Sequence, residues 1–296
     1  MGYRTLTRRR FLYWLTAASA GLGLSYGEDE KGIDLIEDIE WKPHLEVRKA
    51  SKRTGIKGSE KDGIEDMKTL SLIADEEAGW IYLKDANVWI KTGVNASFKK
   101  SLAKDYGLTD TKGGFGLDHD MNYIDAVLLK NRGVLKSITV WHMHPKKTED
   151  ICVSHETGSD SNKSTKAESN SIRFKKSLVC AMPSQLDIAQ GIRTTAWAST
   201  PPYDCPDYSE AVCSPYGAFR LSLTAAGKSE FCSLNPKKIG AHTLNMWKSV
   251  EGLLRLPDSL EAEDLDSTKI TEYRLKTFRE IASKLSTEYA KAEFIE

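Results

Sequence analysis

An excess of charge of either sign is missing from this chain: 42 Lys and Arg face 42 Asp and Glu over 296 residues. That balance excludes a nucleic-acid-binding surface, which needs Lys and Arg clustered to follow a phosphate backbone. Residues 1–27 carry four Arg and no acid, so the body that follows is mildly acidic, with 38 basic against 42 acidic groups. Long apolar runs are scarce as well. The one moderately hydrophobic stretch, residues 11–24, contains Thr, Ser and Gly and is shorter than the roughly 20 residues of a transmembrane helix. No second span candidate follows, and no internal repeat is evident. Five cysteines occur without a C-x-x-C spacing, which argues against a zinc site built on thiolates. With 40% apolar residues the chain can still bury a substantial core.

The N-terminus carries its own signal. Thr7-Arg8-Arg9-Arg10-Phe11-Leu12 resembles the twin-arginine export motif, and the short apolar run behind it reads as a signal h-region. Ala18-Ser19-Ala20 is a candidate cleavage site, a cut nearer Gly27 is the alternative, and an uncleaved anchor is a third reading. All three place the body outside the cytoplasm, in the periplasm or beyond. The resemblance implies export after folding, which suits a protein that acquires a metal first.

Periodicity predicts an α/β protein. Residues 1–27 form the signal and 28–63 an extension of charged, Lys- and Gly-rich character. A helix over 64–75, with Ile64, Met67, Leu70 and Ile73 at spacings of three, leads into a hairpin of strands 80–83 and 88–91. Residues 105–119 read as a Gly-rich loop, 122–131 as a helix ended by Gly133, and 134–141 as a β-branched strand. Residues 154–171 hold almost no apolar side chain, so a polar insert spans about 146–180. A strand over 192–198, a cysteine-containing loop and a strand over 218–223 follow, completing a catalytic unit of 64–235. Residues 236–296 read as two helices, with Leu244, Trp247, Val250 and Leu254 on one face and Leu275, Phe278, Ile281, Leu285 and Tyr289 on the other. Apolar stripes of this kind either pack back on the same domain or meet a partner.

Two short strings carry the chemistry. His142-Met143-His144-Pro145 ends the strand of 134–141, where residues two apart project to one face and aim both imidazoles at one spot. Pro183-Ser184-Gln185-Leu186-Asp187 has the form of a helix start. It is either only a capping box or a device that turns Asp187 toward the same spot. Two His and one carboxylate would leave a fourth tetrahedral position for water, the mark of a catalytic rather than a structural zinc.

H-x-H-P after a strand, followed by P-S-x-x-D, resembles the JAMM (MPN-plus) zinc metallopeptidases. The resemblance covers about residues 64–223 and implies a three-layer mixed-sheet fold of cytidine-deaminase-like type with a C-terminal helical extension. It implies His142, His144 and Asp187 as zinc ligands, Ser184 as an oxyanion partner and an upstream glutamate as general base. Asp75-Glu76-Glu77-Ala78-Gly79 offers Glu76 in an E-x-x-G register, with Glu77 as the alternative; a solvated acidic helix end is the plain reading of both. Zinc lowers the pKa of bound water to about 7, and a carboxylate outside the metal shell then moves the proton. The implied activity is hydrolysis of an amide or isopeptide bond in a peptide or protein substrate, with no stable membrane span. The sequence departs from the family in placing 39 residues between His144 and Ser184 and in having Met143 between the histidines. A catalytically silent MPN scaffold is the rival. A deaminase is disfavoured because neither H-x-E nor P-C-x-x-C occurs.

Two disulfides are proposed for an exported chain: Cys152–Cys180 at the base of the insert and Cys205–Cys213 around the Pro/Tyr/Asp segment, leaving Cys232 over. The opposing expectation is five reduced, buried thiols.

Overall fold

The structure is a computed structural model that describes residues 40–41, 48–49, 55–74, 77–97, 106–108, 115–119, 121–146 and 169–296. The export segment, Glu76, Cys152 and the most polar part of the insert lie outside the described residues.

The elements run β1 (Glu40–Trp41), β2 (Arg48–Lys49), β3 (Gly55–Lys57), α1 (Glu60–Ser71), β4 (Ala78–Leu83), β5 (Val88–Lys91), β6 (Gly93–Ser97), β7 (Phe115–His119), α2 (Met121–Lys130) and β8 (Ser137–Met143). They continue with α3 (Asn170–Ala181), α4 (Gln185–Ala198), β9 (Asp207–Ser214), β10 (Gly217–Leu223), α5 (Ala225–Phe231), α6 (Pro236–Val250), α7 (Thr268–Leu285) and β11 (Ala290–Ile295), with short 3-10 turns between α6 and α7. Seven strands form one mixed sheet in the order β11-β10-β9-β8-β4-β5-β3, in which β8 and β9 are parallel and every other pair is antiparallel. The strands β1 and β2 pair with each other, as do β6 and β7.

Helices cover both faces, because β8 alternates apolar side chains in both directions, as a strand buried on two sides must. Trp141 and Met143 point to the side of α1, where Ile64 and Met67 pack on Trp80, Trp89 and Ala211. Ile138 and Val140 point to the opposite side and pack under α2 with Ile81, Leu83, Ile124 and Val127. Trp89 and Trp141 are at most 1% exposed, and a fully buried side chain of such size contributes about 1.5–3 kcal/mol or more. On the face of α2, a second apolar cluster joins α4, α6 and α7 to Phe219 and Leu221 of β10.

Several expectations change. The helix expected over 64–75 begins earlier, at Glu60, where Ser59 accepts from the Asp62 backbone N–H and caps it. The Gly-rich stretch of 105–119 ends in strand β7 rather than loop. The strand expected over 192–198 is the second half of helix α4. Ile188, Ile192 and Ala196 recur at helical spacing and are all fully buried, and that periodicity outweighs the β preference of Ile192 and Thr194-Thr195. The segment between Cys205 and Cys213 is strand β9, not a loop, so the proposed Cys205–Cys213 bridge is excluded. The two thiols are free and buried at opposite ends of an extended segment, roughly 20 Å or more apart, whereas a disulfide needs Cα atoms within about 7 Å. The second part of the insert is helix α3, which buries Phe174, Leu178 and Ala181. Residues 236–296 pack back on the body as α6 and α7, and they add edge strand β11 against β10.

Candidate metal centre

The two histidines are placed by the middle of the sheet. His142 lies inside β8, paired with Gly79 of β4 on one side and Val212 of β9 on the other. His144 stands just past the strand, held by its backbone N–H donating to the Cys213 carbonyl at 2.8 Å. The next turn is fixed too, since the Lys146 N–H donates to the Ser71 carbonyl at the end of α1. Strand periodicity therefore sends both imidazoles to one side, with ring centroids 4.9 Å apart and the Nε2 atoms 3.1 Å apart.

Asp187 arrives from α4. Ser184 caps that helix, its Oγ accepting from the Asp187 N–H, while an Asp187 carboxylate oxygen accepts from the Ser184 N–H at 2.7 Å. The capping box and the convergence on the histidines are thus the same structure. Capped in this way, the carboxylate lies 3.5 Å from His142 Nε2 and 3.8 Å from His144 Nε2. The 39-residue gap between the two strings is closed by α3, whose Cys180 carbonyl accepts from His144 Nδ1 at 2.9 Å. That bond puts the proton of neutral His144 on Nδ1 and turns the Nε2 lone pair toward Asp187 and His142, an arrangement common behind metal-bound histidines.

Among the described residues, His142, His144 and Asp187 form a group whose ligand atoms lie within 4.8 Å of one another and can hold a metal ion. An ion with tetrahedral ligands at about 2.0–2.1 Å separates those ligands by about 3.3 Å; the two Nε2 atoms stand 3.1 Å apart, and the carboxylate approaches His142 through Oδ1 at 3.5 Å and His144 through Oδ2 at 3.8 Å. The side chains are 12%, 13% and 21% exposed, so the group is set into the surface but remains reachable.

The electrostatics match. Burial by itself pushes His142 down, but the adjacent Asp187 carboxylate, with Glu77 and Glu210 adding, raises it to about 9. Burial pushes Asp187 up, and the two histidines and the Ser184 hydrogen bond outweigh it, holding the carboxyl well below the usual range. The site gathers carboxylate charge around its imidazoles, which favours a cation there, whether a proton or a metal ion.

Of the residues expected at the site, four are brought together: His142, His144, Ser184 and Asp187. Glu76 lies outside the described residues. Glu77 stands just before β4, next to the Ala78–Met143 pair, and its charge acts on His142.

Three neighbours had no part in the sequence reading. His119, at the end of β7, sets its ring edge-on to His142 at 6.5 Å and lies 3.0 Å from the Thr92 hydroxyl through Nδ1. Two imidazoles on one tetrahedral ion put their ring centroids about 5 Å apart, so His119 flanks the group rather than joining it. Thr194 and Glu210 lie deeper, bonded to each other at 2.7 Å. Glu210 was hidden because β9 was read as a loop; as a strand, Tyr208, Glu210 and Val212 share one face, and an acid on an inward face is a legible signal.

The fold and site define an α/β protein with a mixed seven-stranded sheet and a two-histidine, one-carboxylate group at its centre. No protein-family model, curated protein sequence or solved structure gives a match to the chain. No helix among the described residues is long and apolar enough to cross a membrane.

Proposed function

We propose that this chain is an exported, zinc-dependent metallopeptidase or isopeptidase of JAMM type. The observation that carries the reading is the convergence of H-x-H-P and P-S-x-x-D, separated by 39 residues, on one group of ligand atoms within 4.8 Å. A mixed sheet with helices on both faces, and with the histidines at the end of a central strand, is compatible with the three-layer fold of that family.

His142, His144 and Asp187 would hold the zinc ion, which would supply Lewis acidity and a water that is nucleophilic near neutral pH. The chain's own residues do the rest. The Cys180 carbonyl orients His144, and the capping box holds Asp187, so the donors are fixed before an ion arrives. A carboxylate from the segment just before β4, Glu76 or Glu77, takes the proton of the attacking water and returns it to the leaving amine. The Ser184 oxygen accepts from the Asp187 N–H and its hydroxyl proton supports the Asp187 carboxylate; turned from that carboxylate, the same proton would serve a developing oxyanion. The assignment of export rests on the Arg8-Arg9-Arg10 motif.

Metal analysis of purified protein tests the reading. About one equivalent of zinc is expected, lost in His142→Ala. Glu76→Gln and Glu77→Gln should both keep zinc, and the one that abolishes peptide hydrolysis identifies the base. Protein that binds no zinc and cleaves nothing would favour the silent scaffold.

A further inference from the structure

Asp187, Gly191 and Thr194 lie at i, i+4 and i+7 of α4 and so share the face that the helix lays on the sheet. Below them cross-strand pairing sets out two rows, Gly79, His142 and Val212 in one and Ile81, Val140, Glu210 and Leu221 in the next. Gly191 lies over the second row, since a Cβ added there would stand 3.2 Å from Glu210 Cβ and 3.3 Å from Leu221 Cδ2. Toward the start of α4, four residues rising about 1.5 Å each cover roughly 6 Å. One row up the sheet, two residues rising about 3.3 Å each cover nearly the same distance. With Gly191 over Glu210, Asp187 therefore arrives level with His142, and its carboxylate stands 3.5 Å from His142 Nε2.

A hydrogen bond fixes that register. Glu210 Oε1 lies 2.7 Å from the Thr194 hydroxyl on the helix and 3.1 Å from the Tyr208 hydroxyl on its own strand. Ionised, Glu210 accepts from Thr194; protonated, it donates to Thr194, whose own proton then goes to the Gln190 carbonyl 2.8 Å away. The contact between helix and sheet persists in both forms. An aliphatic side chain would fill the row at less cost, because burial pushes Glu210 up to about 7 although Thr194 and the charge of His142 oppose it. Apolar contact is non-directional, however, whereas a hydrogen bond has a narrow range of length and angle and so fixes where α4 sits along and about its axis.

We propose that Glu210 and Thr194 are positioning residues of the metal group: their clasp, closed beside Gly191, sets the height and rotation of α4 and thereby brings the Asp187 carboxylate to His142 and His144. The Ser184 capping box fixes the carboxylate relative to its own helix, and the clasp fixes that helix to β9, the strand paired with the one that carries His142. Neither contact alone places the three donors around one ion. The inference deepens the reading of the site and rests on its metal group, but it does not require hydrolysis.

Cobalt(II) serves as the probe, because its visible spectrum reports the geometry of the donors as well as their occupancy. The metal-free full chain is titrated with cobalt(II) against a competing chelator for the wild type, T194V, T194S, G191A and E210Q. T194V removes the hydroxyl but keeps the shape of Thr194 and the charge of Glu210. It should weaken binding by about tenfold or more and shift the spectrum, the effect of losing a support behind a metal ligand, and T194S should restore both. G191A sets a methyl against Glu210 Cβ and should weaken binding as well, although Ala is the better helix former. T194V and G191A that bind within about twofold of the wild type, with unchanged spectra, would overturn the proposal. So would a loss confined to E210Q, which would assign Glu210 a charge effect and no positioning role. The expected weakening in a protein that hydrolyses no peptide would uphold the clasp and sink the hydrolytic reading, whereas a wild type that takes up no cobalt would overturn both.

Discussion

Replacing Asp187 by Asn isolates the charge on which the metal group depends. Asn keeps an oxygen for the Ser184 N–H, now 2.7 Å from the carboxylate, so the helix start survives and only the charge is removed. In metal-free protein, His142 is raised to about 9 because Asp187, Glu77 and Glu210 outweigh its burial. A folded pKa above the unfolded one contributes stability that is complete below about pH 6.5 and is lost as pH rises through about 9. Asp187, depressed by its neighbours, loses its charge only below the usual carboxylate range and does not titrate in that window. One proton across the window is worth on the order of 3 kcal/mol, or roughly 5–10 °C in Tm for a domain of this size. Thermal melts of metal-free protein by circular dichroism between about pH 6 and pH 9 should show this fall in the wild type and a clearly smaller one in Asp187→Asn, where Glu210, pushed up to about 7 by burial, still titrates at the low end of the range. Zinc competes for the same nitrogen, so calorimetry in buffers of different ionisation enthalpy should find about one proton released per zinc near pH 7.5. A wild-type Tm that does not move over this range, or an Asp187→Asn variant with the same slope, would refute the account of the pair.

Two further outcomes are expected. Ser184→Ala removes the acceptor for the Asp187 N–H at 3.2 Å and should cost about 0.5–2 kcal/mol in urea unfolding, while zinc stoichiometry stays near one because Ser184 is not a ligand. Thiol titration of folded protein should label exposed Cys232, whereas Cys205 and Cys213, raised by burial to about 11 and about 12, should react only after unfolding; labelling of either in the native state would contradict their place in the core.

The parts of the fold legible in the sequence are those where local chemistry and burial agree. The 80–83 and 88–91 hairpin was readable because four turn residues separate two apolar runs, and the helix of α2 because Gly133 follows it with φ +80°. The sequence misled where local preference and tertiary burial disagree. Ile192 and Thr194-Thr195 favour a strand, yet they continue a helix already nucleated at Ser184. Pro206, Asp207 and Tyr208 make the segment between Cys205 and Cys213 look like a loop, yet the backbone of β9 is claimed by β8 and β10 on both sides.

The amino-acid sequence by itself determined the donor types and the local geometry that presents them: two imidazoles on one face of a strand end, and a carboxylate locked by its own helix cap. Those are short-range effects, set by a period of two residues and by hydrogen bonds spanning three. Only the tertiary structure decided that the two strings meet, because α3 carries the chain back across the insert and gives His144 the Cys180 carbonyl. It alone also placed Glu210 beneath them, since which acid stands between which apolar clusters depends on the parallel pairing of β8 with β9, a contact between residues about 70 positions apart in the chain.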